Sequence, residues 1–379
     1  MVSADAVAGW LSRLVRIPSV NPVQAGPRAG TPGEAALAEA LEGWFRELGG
    51  EVRRQEVLPG RWNLYAMWSG TSDRWAAVDT HMDTVGVEQM TTEPFSGDIR
   101  DGRVWGRGAV DTKATLAVVL ALLEAMQRTG RKPEPNLLIA ATVDEEVGAR
   151  GAPAFAAWVR EQGLALDQLA VSEPTRCAPV IGHKGGLRLE FVVQGEPTHS
   201  SQPHLGKNAV TAAARLILAM EAEHERLQSQ DAATPVGKPT LTVTVVQGGT
   251  GANVVPDRCS VIIDRRMVPG EDVDELQSWL CRLAEDACPL PFETHRLKYF
   301  NAFSQAPDAP WVQALAEWGG GAPTAAPYGT NAWAYGGLAK ECVVIGPGSI
   351  DQAHGVEEWV EISELEKITG MYCRWWGLA

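Results

Sequence analysis

Asn136-Leu137-Leu138-Ile139-Ala140-Ala141-Thr142-Val143-Asp144-Glu145-Glu146-Val147-Gly148 is the stretch on which the fold turns. A run of Leu, Ile, Val and Ala of strand length stops at three carboxylates and a glycine. Such a run reads as a strand buried on both faces, the kind that fills α/β sheets. Ligands in those folds sit beyond the carboxyl ends of the strands, which is where Asp144, Glu145 and Glu146 fall. Three adjacent acids repel one another unless a positive group lies among them. An isolated acidic triplet is most often a solvated turn, so the other acids and histidines of the chain decide the matter.

The totals bound the answer. With 379 residues there is room for two domains of about 150 residues or more. A hydrophobic share of 45% and a charged share of 21% are those of an ordinary globular chain. Asp plus Glu number 47 against 33 Lys plus Arg, a net charge of -14, which argues against nucleic acid or an anionic membrane surface as partner. The longest apolar stretch, around Leu116–Met126, is interrupted by Glu124 and falls short of a membrane span. The opening Met1-Val2-Ser3-Ala4-Asp5 lacks the basic and apolar regions of a signal peptide, so a cytoplasmic location is expected. Six cysteines without CxxC spacing suggest buried thiols, with neither a disulfide framework nor a thiolate metal site.

Outward from the acidic strand, residues 4–15 and 33–48 have helical periodicity, and strands are expected at 51–57, 62–68 and 74–79. The third runs into Thr80-His81-Met82-Asp83. His81 and Asp83 point to one side by the two-residue alternation of a strand, so one could bind a metal while the other orients it. Gly106-Arg107-Gly108-Ala109-Val110-Asp111-Thr112-Lys113 leads into an apolar helix near 112–128, with Asp111 placed as its N-cap. A helix near 151–162 and a strand closing at Ser172-Glu173-Pro174-Thr175 follow. Asp83, Asp111, Glu145 with Glu146, and Glu173 thus all fall at strand ends or helix starts.

From about residue 181 the pattern changes to strands with one wet face. The order β-α-β-β-α-β is that of a small ferredoxin-like domain, with the polar stretch Gln228–Lys238 as a loop. After about residue 290 the α/β character returns, with a helix near 309–318, Gly329-Thr330-Asn331, a strand at 341–345 and Gly346-Pro347-Gly348-Ser349-Ile350-Asp351-Gln352-Ala353-His354. The expected organisation is a discontinuous catalytic domain, 1–180 and 290–379, interrupted by a domain at 181–289.

His81, Asp111, Glu146, Glu173 and His354 are nitrogen and oxygen donors without a thiolate. That set suits a borderline divalent ion, zinc foremost, with Mn or Co as alternatives. Two such ions about 3.5–4 Å apart need five or so protein ligands and one shared carboxylate. Asp111, a short acid at a helix start, is the natural bridge. Glu145 would stay unbound and act as base toward a metal-bound water.

HMDTV at 81–85, GRGAVDTK at 106–113, VDEEVG at 143–148, SEPT at 172–175 and GPGSIDQAH at 346–354 together resemble the M20 metallohydrolases, in that family's order and across nearly the whole chain. The family includes acetylornithine deacetylase, succinyl-diaminopimelate desuccinylase, aminoacylase and glutamate carboxypeptidase. The resemblance implies an α/β fold: a zinc-peptidase-like domain with a central mixed sheet flanked by helices, and an inserted ferredoxin-like lid that makes a homodimer. It implies one metal on His81 and Glu173, a second on Glu146 and His354, and Asp111 bridging, with a cis Asp111–Thr112 bond. Asp83 would support His81, and Glu145 would generate a metal-bridging hydroxide as general base.

Glu196-Pro197-Thr198-His199-Ser200-Ser201 looks like the lid motif whose histidine stabilises the oxyanion in the partner subunit's site. The segments around Asn253 and Asp264-Arg265-Arg266 resemble substrate contacts, with Arg266 matching the arginine that grips a substrate carboxylate. Thr330 stands where the family varies with substrate. His183 and His204 read as structural and His224 as solvated. Thr80 replaces the Gly or Ser usual before the first metal histidine, a small change. The expected activity is hydrolysis of a linear amide, deacylation of an N-acyl amino acid, since GPGSIDQAH is closest to the acetylornithine deacetylase branch. Dipeptidase or carboxypeptidase activity on a short peptide, and a non-catalytic ligand-binding homologue, are the rivals.

Overall fold

The structure is a computed structural model that describes residues 2–231 and 234–379. Met1, Ala232 and Ala233 lie outside the described residues, the last two within the loop expected at Gln228–Lys238. In chain order the main elements are α1 (Ala4–Val15), α2 (Ala35–Glu47), β1 (Glu51–Leu58), β2 (Arg61–Trp68), β3 (Trp75–His81), α3 (Lys113–Thr129), β4 (Asn136–Thr142), α4 (Gly151–Glu161) and β5 (Leu166–Val171). They continue with β6 (Gly185–Gln194), α5 (Ala209–Ser229), β7 (Thr240–Gly248), β8 (Arg258–Met267), α6 (Val273–Ala287), β9 (Phe292–Phe300), α7 (Pro310–Gly319), β10 (Ala339–Val344) and α8 (Ile362–Trp375).

The chain divides into two compact units. The larger comprises 1–181, 305–324 and 330–379, the smaller 182–304 and 325–329. Strand β9, past the expected boundary near residue 290, belongs to the smaller unit because it pairs antiparallel with β6 from Phe292↔Val193 to Phe300↔Gly186.

In the larger unit β1, β2, β4, β3, β5 and β10 lie side by side. The first two contacts are antiparallel and the inner ones parallel, which makes the sheet mixed. The acidic strand, β4, is central and buried, as its unbroken Leu-Leu-Ile-Ala-Ala run requires. Register decides what its end meets. His81 on β3 stands opposite Thr142 on β4, and Asp79 stands opposite Val171 on β5. The turns after β3, β4 and β5 therefore leave the sheet at one level. β10 stops level with β5, Val344 opposite Val171, so the Gly346–His354 segment leaves there too.

Helix α3 is apolar nearly all round, with Leu116, Val119, Leu120 and Leu123 among its fully buried residues, so it is a core helix beneath the sheet. Gly130 ends it at φ 68, the left-handed conformation that a helix C-cap favours. The N-cap is Thr112 with no side-chain capping bond, which corrects the expectation that Asp111 caps this helix. The start falls one residue later than periodicity suggests, and this frees the Asp111 carboxylate.

The smaller unit is a four-stranded antiparallel sheet in the order β7-β8-β6-β9. Leu187, Leu189, Phe191 and Val193 alternate along β6 and enter one core with Ala213, Leu216 and Leu280 from α5 and α6. Its element order, β-α-β-β-α-β, is the one the alternation predicts. All six cysteines are free, and Cys177, Cys259, Cys288 and Cys342 are buried. Among the described residues no helix is long and apolar enough to cross a membrane.

Candidate metal centre

Five segments of the larger unit bring the expected ligands together, and Asp111 lies at their middle. Its Oδ1 is 3.0 Å from His81 Nε2, and its Oδ2 is 3.3 Å from His354 Nε2. His354 Nε2 is also 3.2 Å from Glu146 Oε2. Among the described residues, two donor groups could each hold an ion: His81, Asp111 and Glu173, and Asp111, Glu146 and His354. Asp111 is in both groups. Glu145 is in neither. The Asp111–Thr112 peptide is cis.

The donor set fits divalent cations. It is imidazole and carboxylate throughout, the ligands of zinc and of its borderline neighbours. Glu146 Oε1 is buried without a hydrogen-bond partner, a costly state for a carboxylate oxygen that a cation beside it would relieve. His81 is 2% exposed, whereas His354 is about half open, so the two clusters differ in access.

The charges press on one another. Burial, and then the Glu146, Asp111 and Asp83 carboxylates, push Glu145 up to about 8. Burial raises Glu146 to about 6 even though His354 opposes the shift. Glu173 is raised well above the usual range by burial and by Asp111 and Glu145. Hydrogen bonds to Asp111 and Glu146 lift His354 to about 10. Burial opposes the protonated form of His81, yet the Asp111 hydrogen bond and the carboxylates around it raise it well above its ordinary value. Asp111 moves the other way. Burial alone would raise it, but its bonds to His354 and His81 hold it below the usual range.

Asp83 does more than the support expected of it. His81 Nδ1 bonds to the Asp83 main-chain oxygen at 2.9 Å, and the Asp83 carboxylate is farther off, at 3.7 Å. Nδ1 faces a carbonyl oxygen and must donate to it, and Nε2 donates to Asp111 Oδ1 while the ring is protonated; giving up that proton would leave Nε2 a lone pair for a cation. The Asp83 carboxylate accepts the N–H of Glu145 at 3.0 Å and of Glu146 at 3.2 Å, and Asn21 Nδ2 donates to it at 2.8 Å. It therefore fixes the peptides that carry the two glutamates.

Three residues that tie the centre together escape a reading of the sequence. Buried Glu358 accepts the N–H of Val110 at 3.1 Å and of Asp111 at 3.3 Å, and pairs with Arg107 at 2.6 Å. Arg107 also donates to the Gly355 carbonyl at 3.2 Å, next to His354. Asn21 is the third, joining the loop after α1 to Asp83. Arg107 sits inside a quoted motif, but no local pattern reveals its partner.

Of the other expected residues, Thr330 is buried in the larger unit, and its hydroxyl accepts the Ala332 N–H at 3.2 Å, capping the 331–334 turn. His199, Asn253 and Arg266 lie in the smaller unit. The Ser201 N–H donates to His199 Nδ1 at 3.2 Å, and the Ser201 hydroxyl lies 2.7 Å from the same nitrogen. Arg266 Nε is 2.9 Å from Asp264 Oδ1, and the Ser200 N–H donates to the Asn253 carbonyl at 2.9 Å.

Known proteins share this chain and fold. The model of peptidase family M20/M25/M40 matches residues 77–377. An acetylornithine deacetylase of Myxococcus xanthus is 32% identical over 82% of this chain and 82% of its own. One of Vibrio vulnificus is 30% identical over 90% of this chain and 92% of its own. Among solved structures, aminopeptidase PepT of Bacillus cereus superposes with a TM-score of 0.76 at 19% identity, covering 98% of this chain and 97% of that one. The YXEP protein of Bacillus subtilis, described as a dinuclear metal-binding peptidase, does so with a TM-score of 0.69 at 15% identity and 99% of both chains.

Proposed function

The chain belongs to peptidase family M20/M25/M40 and is a metallohydrolase, and on that premise we propose that it deacylates an N-acyl amino acid. One observation supports this reading most: a single buried carboxylate, Asp111, is shared by two donor clusters while Glu145 beside them belongs to neither. His81, Glu173 and Asp111 would hold one divalent cation, and Asp111, Glu146 and His354 a second, with zinc the first candidate. Cations bound there supply Lewis acidity, which polarises an amide carbonyl and lowers the pKa of water toward about 7.

Glu145 is the base. It takes a proton from water as attack on the carbonyl begins and later gives it to the departing amine, so its carboxylate ends each turnover as it started. Burial and neighbouring acids raise it to about 8 in the centre without cations, and cations bound beside it would favour the carboxylate that accepts the proton. His199 is assigned to the developing oxyanion from the second copy of a homodimer. Arg266, with Asn253 and Thr330 nearby in role, is assigned to the substrate and takes its carboxylate. Free thiols throughout support a reducing, cytoplasmic setting.

The test is hydrolysis of N-acetyl amino acids, acetylornithine included, against a set of dipeptides with zinc, cobalt and manganese supplied in turn. Turnover of the acetylated set supports a deacylase. Turnover of the dipeptides alone makes it a peptidase, and inertness across both overturns the catalytic reading. Glu145→Gln should lower kcat by at least about 100-fold with metal content unchanged.

A further inference from the structure

Beneath the acids of the metal centre runs a buried ion-pair network that the proposed chemistry does not use. Arg61, at the start of β2 with its side chain 11% exposed, grips Glu34 with two donors: Nε to Oε2 at 2.7 Å and Nη2 to Oε1 at 2.5 Å. Its Nη1 reaches Asp144 Oδ1 at 3.1 Å. Glu34 Oε1 also accepts the main-chain N–H of Asp144 at 3.1 Å. One arginine–glutamate pair thus holds Asp144 at its amide and at its carboxylate.

Asn21 Nδ2 extends the network, bonding Asp144 Oδ1 at 3.1 Å and Asp83 Oδ2 at 2.8 Å. Asp83 in turn takes the amides of Glu145 and Glu146. Three consecutive N–H groups, those of residues 144, 145 and 146, therefore end on carboxylates fixed from α2, β2 and the loop after α1. The backbone at Asp144 needs holding. Its φ is 67, in the left-handed region that a residue with a Cβ leaves unless its surroundings impose it.

We propose that Arg61, Glu34 and Asn21 are positioning residues that hold the 144–146 backbone in that conformation and so aim Glu145 at the reacting water. The proposal rests on the reading of Glu145 as the base. None of the three residues is in either donor cluster, and the Glu146 carboxylate is also held by His354 at 3.2 Å, so at saturating metal their effect should fall on turnover and not on metal loading. Arg61 presents a planar fork to Glu34, and a lysine in its place would keep the charge but not both bonds.

The experiment uses the metal-loaded protein. Arg61→Met should lower kcat by about 10- to 100-fold, the loss that misplacement by an ångström causes, with KM within about threefold of the parent and metal stoichiometry unchanged. Arg61→Lys should recover part of the loss. Added to Glu145→Gln, Arg61→Met should cost less than about threefold more, because a residue acting through the base has nothing left to position. Equal losses in both backgrounds, loss of metal, or an undiminished kcat would overturn the proposal.

Should Arg61→Met fail to fold, Glu34→Gln keeps the shape and carries the same cycle. Hydrogen exchange, followed by mass spectrometry on folded protein, reads the clamp without any turnover. The 144–146 amides should exchange faster in the variant while the rest of β4 stays protected, and unchanged exchange there overturns the clamp. If Glu145→Gln keeps most of its activity, the base assignment falls, and the exchange result still decides whether the clamp exists.

Discussion

Glu358 shows how much one buried carboxylate can govern. It receives two main-chain N–H groups from the turn that carries Asp111 and neutralises Arg107, whose side chain is 4% exposed. Replacing it with Gln leaves the guanidinium buried without its countercharge, a loss of about 3–5 kcal/mol for a pair broken on one side. Glu358→Gln should therefore shift the urea midpoint markedly and weaken metal binding in titration. A variant as stable as the parent would show that Arg107 finds another partner. Lys113, fully buried, is a second case. Its Nζ donates to the carbonyls of Leu14 at 3.2 Å and Ile17 at 2.8 Å, yet burial brings it down to about 7 from 10.5. Between those values the unfolded chain binds the proton that the folded one releases, so this group's contribution to stability rises with pH. The parent should gain on Lys113→Met by at most about 1.4 kcal/mol per pH unit between pH 7 and 10, measured by denaturant melts; a difference flat with pH would contradict a depressed lysine.

At the scale of elements, the metal centre depends on how closely α4 approaches the end of β4. A Cβ on Gly151, the first residue of α4, would lie 2.3 Å from the Val143 oxygen and 2.7 Å from its nitrogen. Backbone cannot give way as a flexible side chain can, so Gly151→Ala should cost about 1–3 kcal/mol and lower kcat by displacing the turn that bears Glu145. Thermal melts and kinetics together check this, and a variant with parental stability would refute it. The same elements show what the sequence makes legible. Asp144, Glu145 and Glu146 could be placed because an apolar run of strand length announces its own end, and His81 and Glu173 follow by the same logic. Asp111 was recognisable as an acid at a helix start, but not as one that leaves the cap to Thr112. Arg107 and Glu358 are 251 residues apart, and Asp83 and Glu145 are 62 apart. Such pairings leave no local period in a chain, since only the register of β3, β4 and β5 brings their loops to one level.

For the whole molecule, the candidate ligands come from five distant stretches of one chain, so metal binding there would be coupled to folding. A cation that binds the folded chain alone, at a thousand times its Kd, adds about 4 kcal/mol of stability, and a chelator should lower Tm accordingly. The sign of the pH dependence follows from the shifts. His354 is raised to about 10 and Glu146 to about 6, and His81 and Glu173 are raised as well. Each of these groups holds its proton to a higher pH than usual, and a ligand must give its proton up to coordinate a cation. Metal therefore competes with protons across the neutral range, and affinity must rise as pH rises. If more than one proton leaves per ion, each unit of pH below 7 should weaken binding by more than about tenfold. Calorimetric titration with zinc in two buffers of different ionisation enthalpy counts those protons directly, and the stabilisation that metal gives to Tm should shrink from pH 8 to pH 6. Binding that releases no proton and keeps one affinity over that range would mean the two clusters are not where the cations go.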